Sequence, residues 1–149
     1  VDGWHLTLKF LGQAERGRLA QLADAIETVA SHGRPCQVEA CGIGFIPGRG
    51  RPRVIHAQVE GEALLALASE VETAAAACGF EPEERGFKGH MTIARVRQPG
   101  RWREFKEDLG ACRTMHFGTS RISELAIYES KLGRGPARYD RIRAFELAG

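Results

Sequence analysis

A short phrase, histidine–apolar–threonine–apolar, occurs twice in this 149-residue chain, as HLTL at 5–8 and as HMTI at 90–93. Polar and apolar residues alternate within each copy, which is the period of a β-strand with one buried face. Residues i and i+2 of a strand lie on the same side about 6.5 Å apart, so each copy presents an imidazole and a hydroxyl together. The apolar residues between them face the other side, where packing gives the polar pair a rigid support.

The remaining apolar periodicity predicts an α+β fold. Helical spacing predicts helices over 15–31 and 62–78, each followed by a glycine. Two strand-like runs, CQVEACGIGFIP and PRVIHAQVE, predict a hairpin joined by an arginine-rich turn. A short helix is expected around 102–109, and the runs RTMHFGTS, ISELAIYES and DRIRAFELA predict three further strands after it. This order of elements favours a mixed α+β protein over a regular parallel α/β fold.

Composition adds a few limits. The net charge is only +2, but seventeen arginines against four lysines supply the positive charge, and they concentrate in the Gly/Pro-rich segments 48–53 and 131–138. Arginine binds phosphate oxygens in a bidentate way, although genomic composition explains the same bias. No apolar run approaches the ~20 residues of a membrane span, and the four cysteines contain no Cys-x-x-Cys pair. We therefore expect a cytoplasmic protein without a disulfide or zinc framework.

Two histidines suit a displacement at phosphorus, which needs a base for the incoming water and an acid for the leaving oxygen. Two threonine hydroxyls can donate to the non-bridging oxygens, where a well-placed donor contributes about 3 kcal/mol. A single His-x-Thr is common in strands without a catalytic role, but a second copy with the same interleaving favours a functional pair. No His-x-His or His-x-x-x-His spacing is present, so we expect no metal. We interpret His32, His56 and His116 as structural.

The motif pair and several longer segments resemble the 2H phosphoesterases, and within them the bacterial RNA 2′,3′-cyclic phosphodiesterases, also called 2′-5′ RNA ligases. The resemblance rests on HLTL, HMTI, GIGFIPGRGRPRVIHAQVEG, RGFKGHMTIARVR and LAIYESKLGRGPARYDRIRAFEL, and it covers nearly the whole chain. It implies two pseudo-symmetric lobes, each an antiparallel sheet backed by helices, with the motifs facing each other across a central cleft. It also implies one 2H domain over residues 1–149 that lacks the family's first strand and helix.

The resemblance further implies the roles of the motif residues in opening a 2′,3′-cyclic phosphate at an RNA end to a 2′-phosphate. His90 is the proton acceptor that activates water, and His5 is the proton donor that protonates the departing 3′-oxygen. Thr7 and Thr92 bind the phosphate. No cofactor is implied.

Three more residues, Arg95, Phe10 and Tyr128, are candidates for binding the substrate. Position i+5 from the second motif histidine places Arg95 on the opposite face of a regular strand, and either aromatic ring can equally belong to the core. Two positions depart from the family's pattern. Gly89 stands where proline is common and predicts a looser approach to the strand, and His56 stands where an aromatic residue is usual.

Two other functions stay open from the sequence. A 2H fold can hold a nucleotide phosphate between its motifs without turnover, but binding alone does not require both an acid and a base. A second reaction, 2′-5′ ligation that joins a 2′,3′-cyclic end to a 5′-hydroxyl on tRNA halves, can use the same two histidines. The expected partners are RNA ends or small cyclic nucleotides, with no membrane and no obligate protein partner.

Overall fold

The secondary structure follows the predicted order of helices and strands. The computed structural model describes residues 5–96, 100, 102–131 and 138–149. The predicted helices, the hairpin, the strand at the second motif and the three strands after the short helix are confirmed to within a few residues at their ends. The elements are α1 (Arg16–His32), β1 (Cys36–Ile46), β2 (Val54–Glu60), α2 (Glu62–Ala77), β3 (His90–Arg95), α3 (Trp102–Asp108), a 3-10 segment (Leu109–Thr114), β4 (His116–Ile122), β5 (Glu124–Lys131) and β6 (Arg138–Glu146).

The described strands form two sheets, and within each sheet the neighbouring strands are antiparallel. The larger sheet has the strand order β3–β2–β1–β4, and the smaller sheet consists of β5 and β6. Helix α1 packs on the smaller sheet, while α2 contacts both α1 and β1 of the larger sheet. This arrangement confirms the α+β class with antiparallel sheets backed by helices.

Two apolar clusters hold the helices against the sheets. In the larger cluster, Leu22 and Ile26 of α1 lie one helical turn apart and pack with Phe145 of β6. The smaller cluster centres on Leu64 of α2, which is fully buried against alternating residues of β1 and β2. We call this cluster the small core; its members are Cys36, Val38, Val59 and Leu64.

The glycines predicted to cap the two long helices act in different ways. Gly79 has a φ of 80°, and the N–H groups of Gly79 and Phe80 donate back to carbonyls of the last turn of α2. This is a left-handed Schellman cap, which favours glycine. Gly33 instead has an extended backbone, with φ −69°. A Cβ at Gly33 would lie 2.9 Å from Cδ2 of Leu147, so close packing favours glycine there.

The strand predicted at the first motif is wrong beyond one residue. Between residues 5 and 11 only Leu6 forms a β-bridge, with Met91 of β3. The segment is held instead by Lys9, whose Nζ lies 2.7 Å from Oε1 of Glu72 on α2 and whose side chain is only 6% exposed. An ion pair between a nearly buried lysine and a partly exposed glutamate thus helps to hold a segment that has almost no strand ladder.

Two findings bear on the limits set by composition. All four cysteines are free thiols, and Cys36 is buried within the small core. Among the described helices, none combines the length and the apolar character that crossing a bilayer requires.

Replacing Glu72 with glutamine is expected to lower the free energy of unfolding at neutral pH by about 1–3 kcal/mol, as for other hydrogen bonds to charged groups. The hydrogen bond from Lys9 holds the pKa of Glu72 below its ordinary value. This stabilisation is present above the unfolded-state pKa of about 4.3 and is lost as the pH falls through the lower folded-state value. Denaturant unfolding from pH 7 down to pH 2 measures the difference between wild type and Glu72→Gln.

The matched control is Glu70→Gln, an exposed carboxylate on the same helix, which should unfold like the wild type at every pH. A loss for Glu72→Gln that stays constant across the pH range would contradict the assignment of the stabilisation to the ionised Glu72.

Candidate active site

The bridge between Leu6 and Met91 determines how the two motifs face each other. In an antiparallel pair, the residues that flank a bridge lie opposite each other in reverse order, so each motif histidine faces the threonine of the other motif. In an antiparallel pair the side chains beside a bridge point away from the bridged residues, here Leu6 and Met91, which pack against the small core. Opposed residues have Cα atoms about 4.5–5.5 Å apart and diagonal residues about 7–8 Å, so the histidines lie diagonally across the bridge. The facing pairs are His5 with Thr92 and Thr7 with His90.

His90 begins β3, and the backbone that precedes it holds its imidazole. Nδ1 of His90 lies 2.9 Å from the carbonyl oxygen of Lys88. A carbonyl oxygen only accepts hydrogen bonds, so Nδ1 carries the proton and the neutral ring keeps its lone pair at Nε2. The loosening predicted at Gly89 is wrong: its carbonyl accepts from the Val59 N–H at 2.9 Å, and an added Cβ would overlap the Val59 carbonyl.

His5 lies against two tyrosines of the smaller sheet. The ring centroids of His5 and Tyr139 are 4.6 Å apart with the planes at 62°, and those of His5 and Tyr128 are 6.1 Å apart at 26°. Both distances fall within the usual range for contacts between aromatic rings. Tyr128 is 42% exposed, so the structure brings this candidate residue to the first motif while leaving part of its ring accessible.

An extra residue in β3 decides where Arg95 points. The pairing of β3 with β2 skips Ile93, so the alternation of faces changes phase at that residue. Arg95 therefore shares the face of Thr92, and its predicted place on the opposite face is wrong. Nη2 of Arg95 donates to the hydroxyl of Tyr139 at 3.4 Å. This contact links the end of β3 to the ring that packs on the first motif histidine.

A second extra residue shapes β6 in the same way. The pairing of β6 with β5 skips Ile142. Tyr139 and Phe145 would share a face of a regular strand, but here Tyr139 faces the motifs and Phe145 is buried in the larger cluster. The bulge thus lets one strand supply both a site residue and a core residue.

His56 is a residue of this cluster that the sequence analysis missed. It lies on β2 opposite Thr92, and its ring centroid is 5.3 Å from that of His90 with the planes at 67°. Burial lowers the pKa of His56, the bond from its Nδ1 to the Ala57 carbonyl opposes this, and the nearby His90 lowers the pKa further. A neutral imidazole therefore packs against His90 at neutral pH. Only the register of β2 with β3 shows that His56 lies beside His90, and the sequence does not display this register.

Other predicted residues lie apart from these contacts. Phe10 is 77% exposed, and within the described part of the chain its ring contacts neither motif histidine. His32 ends α1 with Nδ1 2.9 Å from the Thr28 carbonyl oxygen, and His116 lies on the surface with Nε2 3.3 Å from the Glu39 carboxylate. In the ranges that the structure describes, no group of three histidines, cysteines or carboxylates could hold a metal ion.

Antiparallel sheets backed by helices, with two His-x-Thr motifs joined by one bridge, match the arrangement expected of the two-histidine phosphoesterases. The chain belongs to the 2′-5′ RNA ligase superfamily, whose family model matches residues 3–133. The family predicted from the motifs is confirmed.

Individual relatives agree with this family. The chain is 32% identical over 152 residues to an RNA 2′,3′-cyclic phosphodiesterase of Geobacillus stearothermophilus, covering 99% of this chain and 46% of that protein. It is 27% identical over 147 residues to a protein of the same name from Methanothermobacter thermautotrophicus, covering 98% of this chain and 79% of the relative. The crystal structure of TT0787 of Thermus thermophilus matches with a TM-score of 0.79 at 26% identity, covering 97% of this chain and 78% of that one. The chain thus spans about half the length of the Geobacillus protein.

In its neutral form His90 is expected to carry the ring proton on Nδ1, because the Lys88 carbonyl accepts from that nitrogen. Histidine-selective nitrogen labelling and ring-nitrogen NMR measure which nitrogen is protonated. His116 is the internal control, since its Nε2 faces a carboxylate and should carry the proton. A neutral His90 protonated mainly on Nε2 would contradict the tautomer assigned here.

Proposed function

We propose that this protein hydrolyses a 2′,3′-cyclic phosphate at an RNA end to a 2′-phosphomonoester by two-histidine acid–base catalysis. The observation that carries the proposal is the antiparallel bridge between Leu6 and Met91, which brings the two His-x-Thr motifs side by side. The relatives from Geobacillus stearothermophilus and Methanothermobacter thermautotrophicus are both named RNA 2′,3′-cyclic phosphodiesterase, which supports the same reaction.

His90 is the proton acceptor in this proposal. The bond from its Nδ1 to the Lys88 carbonyl leaves a lone pair at Nε2, which is what a general base needs. Water attacks the phosphorus in line with the 3′-oxygen and loses a proton to His90. The phosphorus–O3′ bond breaks, and His5 gives its proton to the departing oxygen. The phosphate then remains on the 2′-oxygen, and proton exchange with water restores both histidines.

Thr7 and Thr92 bind the non-bridging phosphate oxygens, each from beside the histidine of the other motif. Donors preorganised in this way stabilise the charge that collects on those oxygens in the transition state. Arg95 lies at the end of β3, where its guanidinium reaches the Tyr139 hydroxyl. Its positive charge stabilises the negative charge on the same phosphate oxygens. Tyr128 offers a partly exposed ring for stacking a base, and Phe10 remains a candidate because its ring is exposed.

An RNA end is the preferred substrate because an arginine-rich turn lies close to the motifs. The turn at 47–53 carries three exposed arginines, and no carboxylate occurs in 40–59. Val54, directly after the turn, pairs with Arg95. At about 3.3 Å per strand residue, the turn ends roughly 10 Å from His56, which is within reach of the phosphates that precede an RNA terminus. An RNA substrate and four free thiols also support the cytoplasm as the place of action.

Ligation is the second candidate function, because the matching family is described as the 2′-5′ RNA ligase superfamily. In ligation a 5′-hydroxyl takes the place of water: it loses its proton to His90 and bonds to the phosphorus, the phosphorus–O3′ bond breaks, and His5 protonates O3′, so the same residues serve both reactions. Incubation with tRNA half-molecules tests for a joined product. Cyclic-end hydrolysis without any joined product would restrict the function to the phosphodiesterase.

His5→Ala and His90→Ala are each expected to lower kcat for hydrolysis by about 10²–10⁴-fold, because each removes one half of the acid–base pair. The assay follows a 2′,3′-cyclic nucleotide and a cyclic-ended RNA in EDTA, with phosphorus NMR locating the phosphate on the product. His116→Ala is the matched control and should keep wild-type turnover. Wild-type turnover in either motif variant would contradict the mechanism, and tight nucleotide binding without turnover in the unmodified protein would favour a binding module.

Thr7→Ala and Thr92→Ala are expected to lower kcat less, by about ten- to a hundredfold, because each removes one hydroxyl donor and leaves the acid–base pair. The same assay measures them. Unchanged kinetics in both variants would mean that the hydroxyls do not bind the phosphate.

The double variant Arg49→Ala/Arg51→Ala is expected to lower kcat/KM on a cyclic-ended oligonucleotide by about tenfold and to leave the cyclic mononucleotide nearly unchanged. On the oligonucleotide, the negative slope of log kcat/KM against the logarithm of the salt concentration should become shallower by about one to two. Arg16→Ala/Arg121→Ala, which removes two exposed arginines from α1 and β4, is the matched control. Equal losses on both substrates would contradict an RNA-binding role for the turn.

A further inference from the structure

Each motif histidine has a second ring set at a steep angle against it from a neighbouring strand. For His5 the second ring is Tyr139 of β6, with the planes at 62° and the centroids 4.6 Å apart. For His90 it is His56 of β2, with the planes at 67° and the centroids 5.3 Å apart. Both contacts have the edge-to-face geometry that aromatic rings prefer. In both cases the ring that packs on the motif histidine comes from a strand outside its own motif.

Gly44 of β1 leaves the space that the His56 ring occupies. The two residues pair across β1 and β2, and a Cβ built on Gly44 would overlap the imidazole, 2.5 Å from its Nε2. Gly44 does not have a positive φ, so its backbone conformation does not require glycine. Glycine is favoured instead because the His56 ring lies directly over Gly44. This ring is thereby held between β1 and His90.

Hydrogen bonding alone leaves the orientation of His90 incomplete. The Lys88 carbonyl holds Nδ1, and the ring can still swing about that contact. Nε2, on the far edge, moves most in such a swing. The His56 ring, packed against His90 with the planes at 67°, blocks this motion. Burial lowers the pKa of His56, so the blocking ring adds no positive charge beside His90 at neutral pH.

We propose that His56 is a positioning residue whose ring holds His90 with Nε2 directed at the attacking water. The role rests on the proposed function, in which His90 is the proton acceptor. A general base acts only within hydrogen-bond reach of the proton that it takes, so a misdirected His90 slows turnover. Phosphate binding by the two threonines does not depend on that direction.

The first test separates the ring of His56 from its polarity. His56→Ala should lower kcat by about tenfold while KM stays within about twofold, because orientation rather than binding is lost. His56→Phe keeps a ring and should recover most of the turnover. His56→Asn keeps a polar group without a ring and should behave like His56→Ala. His116→Ala, a histidine of the same sheet, should have no effect.

The second test uses the space over Gly44. In the wild-type background, Gly44→Ala should displace the His56 ring and reproduce the loss seen for His56→Ala. In the His56→Ala background the ring is already gone, so adding Gly44→Ala should cost nothing more. Thermal unfolding of all variants checks that each is folded. Full turnover in His56→Asn, or an equal loss from Gly44→Ala in both backgrounds, would overturn the positioning role.

A spectroscopic measurement separates this proposal from the function on which it rests. Ring-nitrogen NMR should show the Nδ1–H form of His90 in every variant, because the Lys88 carbonyl holds Nδ1, with a sharp Nε2 signal in the wild type and in His56→Phe and a broadened Nε2 signal in His56→Ala. An unmodified enzyme that hydrolyses no cyclic phosphate would defeat the proposed function while this spectrum still reports on His90. Unchanged His90 signals in His56→Ala would overturn the positioning role whatever the enzyme hydrolyses.

Discussion

The antiparallel bridge between Leu6 and Met91 is the constraint on which the rest of the site depends. It brings together two motifs from distant parts of the chain, and a slip of one residue would turn the first histidine and threonine toward the core. One bridge is a weak ladder, so its register is held by what surrounds it. Both apolar residues pack on the small core, and Lys9 ties the same segment to Glu72 of α2. Burial and an ion pair therefore fix a register that backbone hydrogen bonds alone would leave open.

Two one-residue bulges then select the side chains that reach the motifs. The extra Ile93 in β3 keeps Arg95 on the face of the second motif, and the extra Ile142 in β6 turns Tyr139 toward the first. Without the bulges, strict alternation would send both groups to the core side of their sheets. The contact between the Arg95 guanidinium and the Tyr139 hydroxyl joins the two bulged strands across the site. The two sheets thus meet at the motifs through irregular rather than regular strand geometry.

These irregularities explain which features the sequence could predict. The long helices, the hairpin and the later strands were predictable because apolar periodicity reports burial, as at Leu22 and Ile26 of α1. The motif residues stood out because the same polar pair is repeated. The face on which Arg95 lies was not predictable, since the polar–apolar alternation of the sequence does not show where a strand contains a bulge. The contact of His56 with His90 depends on the pairing of β2 with β3, which is a property of the folded sheet.

The motifs are alike in sequence and related by the bridge, but their surroundings differ. His90 has Nδ1 on a backbone carbonyl and packs against a second imidazole that burial keeps neutral. His5 packs against two tyrosine rings. In the proposed reaction one histidine must start with a free lone pair and the other with a proton, and two identical environments would favour neither assignment. In the proposed reaction both histidines reach one phosphate across the bridge, and the neighbouring strands supply the unlike surroundings that an acid–base pair requires.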